Sequence, residues 1–374
     1  MQSIALIVYY ITSSQFILNN SKKTTEKKTS KTMADIARMA GVSASTASRA
    51  LRNSPLISQQ TIDRVKSVAK EHGYRPHLGA RNFRLKKSNI IVLVLPFNYA
   101  DADVLGNPYI FKIIGTIGST LREHGYDLLL SQMDRISEQI DDRYIHSGIA
   151  DGAIIIGRGD NDPQKIASLV GTGVPFVVLG PELANQTYCS VGIDNLSSAS
   201  QAVKHLAKLG RKRIAIVSDN REDPLSEPYM RYQGYLKALK DLSIVFDKNL
   251  VATSTDSGKS GYSAVQQLLK AAPDFDAVFV ATSDIVAISV IQALRNSGKR
   301  IPKDVAVVGF DNIDLCDFIS PSLTSISQNL QDGIAQHLVE KLLDQINGKE
   351  VSSVMMSGSL VIRRSCGSAL SKAR

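Results

Sequence analysis

The sequence predicts a small all-α helix-turn-helix headpiece followed by an α/β region built from two doubly wound parallel-sheet subdomains. Three observations carry that prediction. Residues 33–51 hold two short helical patterns separated by Gly41-Val42. Residues 21–90 contain 16 Lys and Arg against 4 Asp and Glu, a net of +12, while the whole chain is +9, so the remainder sums to −3. From Asn89 onward, short apolar runs alternate with amphipathic helical stretches, the order expected of parallel strands with helices on both faces. With 374 residues, 43% of them apolar, the chain has material for two or three packed domains.

The first helix is expected over 33–40, with Ile36, Ala37 and Ala40 on one face. Gly41 permits the reversal, and Ser43 is a good N-cap for a second helix running to about Leu51. Val42, Ala47, Ala50 and Leu51 then close a small core. In a helix-turn-helix, the start of the second helix reaches base edges in the major groove. Here those positions are Ser43, Ala44, Ser45, Thr46, Ser48 and Arg49, and a guanidinium at Arg49 can pair with both acceptors of a guanine. A basic run by itself is commonly a solvated face; one built around this pattern has the distribution that phosphate neutralisation requires.

Strands are expected at 90–95, 127–131, 153–156, 176–179, 213–217, 277–280 and 305–309, with helices at 109–123, 196–209, 228–240, 263–269 and 284–295. Glycines at 125, 210 and 298 punctuate the steps from helix to strand. Ligands of such sheets bind beyond the carboxyl ends of strands. The polar residues at those ends are Ser283-Asp284, Asp311-Asn312, and Asp101, Asp103, Asn107 and Tyr109 after the first strand. Carboxylates, an amide and a Tyr suit a hydroxyl-rich ligand, because each carboxylate accepts from two hydroxyls. Two readings of Asp284 stand side by side: ligand contact, or cap of its own helix.

Enzyme chemistry finds little footing. Ser257-Gly258-Lys259-Ser260 imitates the end of a phosphate-binding loop, but Thr253 stands where the first glycine is needed. The six histidines have no metal-binding spacing, and there is no nucleophile elbow. No cofactor or metal is expected. Cys189, Cys316 and Cys366 are far apart, which favours a reducing cytoplasm over a disulfide framework. The apolar run 4–11 is far shorter than the roughly 20 residues needed to span a bilayer, so no membrane association is expected. Residues 1–32 lack the order of a signal peptide and read as a disordered extension or a mis-assigned start.

Taken together, AGVSASTASRAL (40–51), SQQTIDRVKSVAKEHGYRP (58–76), ARNFRLKKS (80–88), IPKDVAVVGFDN (301–312), SPSLTSISQ (320–328) and LVIRRS (360–365) resemble the lactose-repressor and purine-repressor (LacI/GalR) family of bacterial transcription regulators. The resemblance spans about 33–366. It implies a third headpiece helix at 59–72, a headpiece over 33–76, a hinge or linker over 77–88, and a two-lobed, periplasmic-binding-protein-like effector and dimerisation domain over 89–374. It further implies three crossovers between lobes, with the chain returning to the first lobe near 320–348 and ending in the second. Arg231, in the family's RxxGY context with Gly234 and Tyr235, and Asp311 of the GFD motif become effector contacts, and Ser283 stands where other members often carry Asn. Tyr109 and Asp284 complete the expected effector set. The implied partners are double-stranded operator DNA, a second copy of the chain, and a small effector. Asp, Asn, Ser and Tyr with one Arg favour a neutral mono- or disaccharide, and a purine-type corepressor is the alternative. An exported sugar-binding protein of similar fold would have no use for the headpiece. Within the family some members release DNA on binding ligand and others bind it more tightly. Without a leucine-heptad tail after LVIRRS, a dimer is expected rather than a tail-linked tetramer.

The family's hinge helix orders on DNA and wedges an apolar side chain into the minor groove. Its counterpart is 78–84, with Arg81 as a basic contact and Phe83 at the position usually held by Leu; Leu85 is the other wedge candidate. Phe83→Ala is expected to weaken operator binding and reduce DNA bending, read by gel mobility of permuted fragments, while fold and ligand affinity stay intact. Wild-type bending by that variant would move the wedge to Leu85.

Overall fold

A computed structural model describes residues 31–74, 87–96, 107–133, 141–157, 166, 169–219, 222–255 and 258–368. The expectations for residues 1–30 and for Arg81, Phe83, Leu85, Asp101 and Asp103 lie outside these. The chain divides into two compact units, Met1–Leu78 and Gly79–Arg374.

The first unit is a three-helix headpiece: α1 (Met33–Met39), α2 (Ala44–Ala50) and α3 (Gln59–Glu71). Each helix starts on a side-chain cap. Thr32 and Asp35 form a reciprocal capping box on α1, Ser43 Oγ accepts from Thr46 N at 3.1 Å, and Ser58 Oγ accepts from Thr61 N at 3.4 Å. Thr32 therefore belongs with the headpiece, although the sequence reading left it in the extension. Gly41 sits at φ +63°, a left-handed backbone that closes α1 and turns the chain into α2. Ile36, Ala37, Ala40, Ala47, Ala50, Ile62, Val65 and Ala69 are buried together. Five of these eight are alanines, small side chains that allow short helices to pack closely.

The second unit contains two six-stranded sheets. The first has order β11-β5-β4-β3-β1-β2 and is parallel throughout: β1 (Ile90–Pro96), β2 (Asp127–Met133), β3 (Gly152–Ile156), β4 (Phe176–Leu179), β5 (Ser190–Ile193) and β11 (Val354–Met356). The second has order β12-β10-β9-β8-β6-β7: β6 (Ile214–Ser218), β7 (Val251–Thr253), β8 (Ala277–Val280), β9 (Ala306–Asp311), β10 (Thr324–Ser327) and β12 (Ser359–Val361). It is parallel except that β12 runs antiparallel to β10. Between them lie α4 (Pro108–Glu123), α5 (Asn195–Lys208), α6 (Glu227–Asp241), α7 (Ser260–Ala271), α8 (Asp284–Asn296), the short α9 (Leu315–Phe318) and α10 (Ala335–Ile346). Strands β3, β4, β6, β8 and β9 are buried at every position, as sheets covered on both faces require.

The chain crosses between sheets after β5, after β10 and after β11. The return to the first lobe falls within the expected 320–348: β10 still pairs with β9, and α10 then packs on β3 and β4. Strands β5, β7, β10, β11 and β12 escaped the sequence reading. Each has three or four residues, and SVGI, TSIS and SLV are too polar or too short for periodicity to mark them.

Helices α5 and α6 pack closely because Gly234 faces the backbone of α5; a Cβ at this position would overlap the Leu196 carbonyl oxygen and crowd the Ala199 methyl. Gly234→Ala is expected to destabilise the domain by about 1–3 kcal/mol through overpacking. The measurement is a urea midpoint that falls with an unchanged slope. An unchanged midpoint would mean that the two helices separate freely.

Candidate functional site

On the headpiece, Ala47 and Ala50 turn inward, while Ser43, Ala44, Ser45 and Arg49 are exposed and Thr46 and Ser48 half-buried. Three hydroxyls form a local chain: Ser43 Oγ lies 2.9 Å from both Ser45 Oγ and Thr46 Oγ1. Ser48 is held by Arg52, whose Nε donates to Ser48 O at 3.0 Å and whose Nη2 donates to Ser48 Oγ at 3.2 Å. Arg49 has no side-chain partner among the described residues, so its five donors are available. Arg52, two residues past α2, was not read from the sequence; its spacing from Ser48 was the available signal. The result is a convex polar surface on the first two turns of a helix with one unpaired guanidinium, a shape that enters a major groove.

In the larger unit, the carboxyl ends of β8 and β9 gather most of the expected effector residues. Arg231 reaches them from α6 and is 4% exposed. Its Nε donates to Asn195 Oδ1 at 2.7 Å, Nη1 to Ala281 O at 2.9 Å and Thr282 O at 3.0 Å, and Nη2 to Glu227 Oε2 at 2.9 Å. The guanidinium carbon stands 3.7 Å from the centre of the Phe310 ring. Four of its five N–H groups are thus satisfied by protein, leaving one on Nη2. Asp311, next to Phe310, is held at φ +110° and accepts from Gln328 Nε2 at 2.7 Å. This is a costly backbone for a side chain with a Cβ, of the kind that persists where surroundings over-determine it.

Two hydroxyls at the end of β8 stand out. Thr282 Oγ1 and Ser283 Oγ are buried with no hydrogen-bond partner among the described residues. Ser283 is the N-cap of α8 yet makes no side-chain cap bond. Leaving such groups unsatisfied costs about 1–3 kcal/mol each, so a polar ligand is a physical use for them.

Asp284 is different. Its side chain is sealed from solvent, Oδ2 accepts from Ile313 N at 2.9 Å and Cys316 Sγ at 3.1 Å, and Oδ1 accepts from Ser325 Oγ at 2.7 Å. Neither alternative read from the sequence, helix cap or ligand contact, describes this arrangement, which ties together three segments. Burial pushes its carboxyl up to about 6, opposed by these donors, and burial beside it pushes the Cys316 thiol up as well.

Tyr109 is in the other lobe, in the first turn of α4, which is capped by Asn107 Oδ1 accepting from Tyr109 N at 3.0 Å. One turn further on, Lys112 Nζ donates to Asp314 Oδ1 across the lobes at 2.8 Å. The start of α4 thus faces the end of β9, and the cleft has one wall on each lobe. A cavity of about 440 Å³ lined by Phe176, Gln186, Tyr188, Gln345 and Ser353 lies at the amino ends of the first sheet's strands, the opposite edge from these groups. Asn195, Phe310 and Gln328 were not read from the sequence, since their partners are distant in the chain; Glu227 was missed too, although its i,i+4 spacing from Arg231 was a local signal. Among the described residues no cluster could hold a metal ion, and no helix is long and apolar enough to cross a membrane.

An α2-type polar surface on a three-helix headpiece, joined to two doubly wound lobes with polar strand ends, defines a ligand-responsive DNA-binding regulator. Residues 32–77 match the model for bacterial regulatory proteins of the lacI family, and 203–366 match the periplasmic binding protein-like domain. The chain is 34% identical over 349 residues to the HTH-type transcriptional repressor CytR of Escherichia coli K12, covering 92% of this chain and 98% of that protein. It is 30% identical over 345 residues to the HTH-type transcriptional regulator CelR of Thermobifida fusca, covering 91% and 99%. Among solved structures, it matches a CelR–cellobiose complex with TM-score 0.65 and 30% identity over 90% of this chain and 99% of that one. The lac repressor dimer bound to operator and the anti-inducer ONPF matches with TM-score 0.76 and 25% identity over the same shares. The chain belongs to the LacI family of bacterial transcription regulators.

Arg49→Ala is expected to cost about 1–3 kcal/mol at a specific operator and relax preference at one base pair per half-site, read by anisotropy on a substituted operator series. Equal losses on operator and random DNA would make Arg49 a phosphate contact.

Proposed function

We propose that this regulator is a cytoplasmic, non-enzymatic repressor of carbohydrate-utilisation genes, whose operator affinity is changed by a small neutral sugar bound between its lobes. Two copies bind a near-palindromic operator through headpieces spanning 33–76, joined by the 77–88 hinge to effector domains spanning 89–374, one α2 helix per half-site. Ser43, Ala44, Ser45, Thr46, Ser48 and Arg49 face the major groove; Arg81 and Phe83 act from the hinge. The single observation that carries the sugar reading is the pair of buried hydroxyls, Thr282 Oγ1 and Ser283 Oγ, left without partners beside Arg231. Both can donate and accept, which matches sugar hydroxyls. Asp311 supplies an acceptor, Arg231 one remaining donor, and Tyr109 the wall on the other lobe. The Arg231 guanidinium is largely consumed by protein acceptors and the Lys112 ammonium is paired with Asp314, which gives little for a phosphorylated ligand. CelR, bound to cellobiose in its complex, supports the same class. Ligand closing the cleft changes the relation of the lobes and so the spacing of the two hinges, a coupling typically of about 1–3 kcal/mol.

A thermal-shift panel of neutral sugars, nucleobases, nucleosides and sugar phosphates on the full chain tests the reading. A sugar at 100 times its dissociation constant should stabilise by about 2.7 kcal/mol. Ser283→Ala and Asp311→Asn, which leave the Arg231 framework in place, should reduce that shift without lowering the unliganded melting point. A panel in which only nucleobases, nucleosides or phosphorylated compounds raise the melting point overturns it.

A further inference from the structure

We propose that Asp284 is a positioning residue, whose carboxylate clamps the turn after β9 so that Asp311 is presented to the cleft and Asp314 to the opposite lobe, without itself touching ligand. This rests on the reading of the Asp311 edge as ligand-binding. The carboxylate joins α8, which carries it, to three other places: the turn at Ile313, the start of α9 at Cys316, and β10 at Ser325. An ionised carboxylate is acceptor-only with about four lone-pair sites, the chemistry this set of donors needs. Strand β9 is shaped around it. A Cβ at Gly309 would overlap Asp284 Oδ1, so the glycine leaves the space that the carboxylate occupies.

The clamped turn carries two charged groups. Asp311 is held at φ +110° and Asn312 at φ +54°, an unusual pair for residues with a Cβ, and Asn312 N is fixed by Ser325 Oγ at 3.1 Å. Ser325 thus bonds both the carboxylate and the turn it secures. Three residues beyond Asp311, Asp314 pairs with Lys112 of the first lobe. A single buried group therefore sets the position of a candidate effector contact and of a link between lobes. No solvent reaches Asp284, and its oxygens already have protein donors.

Cys316 provides a reporter that needs no sugar, so failure of the clamp and failure of the sugar reading are separable. All three cysteines are buried in the native chain, and Cys316 donates to the carboxylate itself. The experiment labels the full chain with dithionitrobenzoate under native conditions and assigns each modified thiol by peptide mass. Asp284→Ala should raise the Cys316 labelling rate about tenfold or more through local opening, with Cys189 and Cys366 within roughly twofold of wild type. Asp284→Asn, which keeps an acceptor for Ile313 N and a polar partner for Ser325, should restore much of the protection. Gly309→Ala, which leaves the carboxylate in place but crowds it, should again open Cys316 alone. If Asp284→Ala fails to fold, Ser325→Ala decides by the same selective rise. A parallel rise at all three cysteines, as expected of the core substitution Val290→Ala on the same helix, makes Asp284 a general stability residue and overturns the proposal. An unchanged Cys316 rate overturns it equally, as does ligand density within hydrogen-bond distance of Asp284.

Discussion

A buried guanidinium that must be satisfied from four directions organises the effector domain. Arg231 is 4% exposed, and desolvating a permanent cation is affordable only with close acceptors. They come from the crossover after β5 through Asn195, from the end of β8 through Ala281 and Thr282, and from its own helix through Glu227. Phe310 of β9 lies against its face. Each contact fixes the end of one element at the edge where the cleft opens, so packing and site are one construction. Removing the guanidinium would leave Asn195 and two carbonyls unpaired in the interior, which makes Arg231 a framework residue as much as a contact.

The ion pair that links the lobes is weak by comparison. Lys112 and Asp314 form an ion pair whose acidic partner is 83% exposed, the sort of contact that contributes on the order of 1 kcal/mol or less. The turn bearing Asp314 is by contrast anchored in the buried core of the second lobe, so a change at the strand ends can be delivered to the first lobe as a shift of one carboxylate.

Much of this was legible in the residues. The headpiece was readable because caps, Gly41 and the alanine faces are local signals, and local sequence decides them. The same holds for the seven strands with apolar runs and for the polar residues at their ends. Asp284 could not be interpreted in that way: a carboxylate after a strand looks the same whether it caps a helix, meets a ligand or clamps a turn, and its partners at Ile313, Cys316 and Ser325 are at least 29 residues distant. The five short strands were hidden for a related reason, since pairing with neighbours across the sheet, not their own composition, makes them strands. Thr32 was misplaced because a lone Thr in a Lys/Thr/Ser run is indistinguishable from linker until its partner Asp35 is seen to answer it.

Thr282 Oγ1 and Ser283 Oγ, unsatisfied at the end of β8, are proposed to receive a hydroxylated ligand. A crystal structure of the full chain with a sugar that stabilises it tests this most directly. Ligand oxygens are expected within hydrogen-bond distance of Thr282 Oγ1 or Ser283 Oγ, with Arg231 still bound to Asn195 and the carbonyls after β8. A sugar seated elsewhere, with both hydroxyls still unpaired, would contradict it.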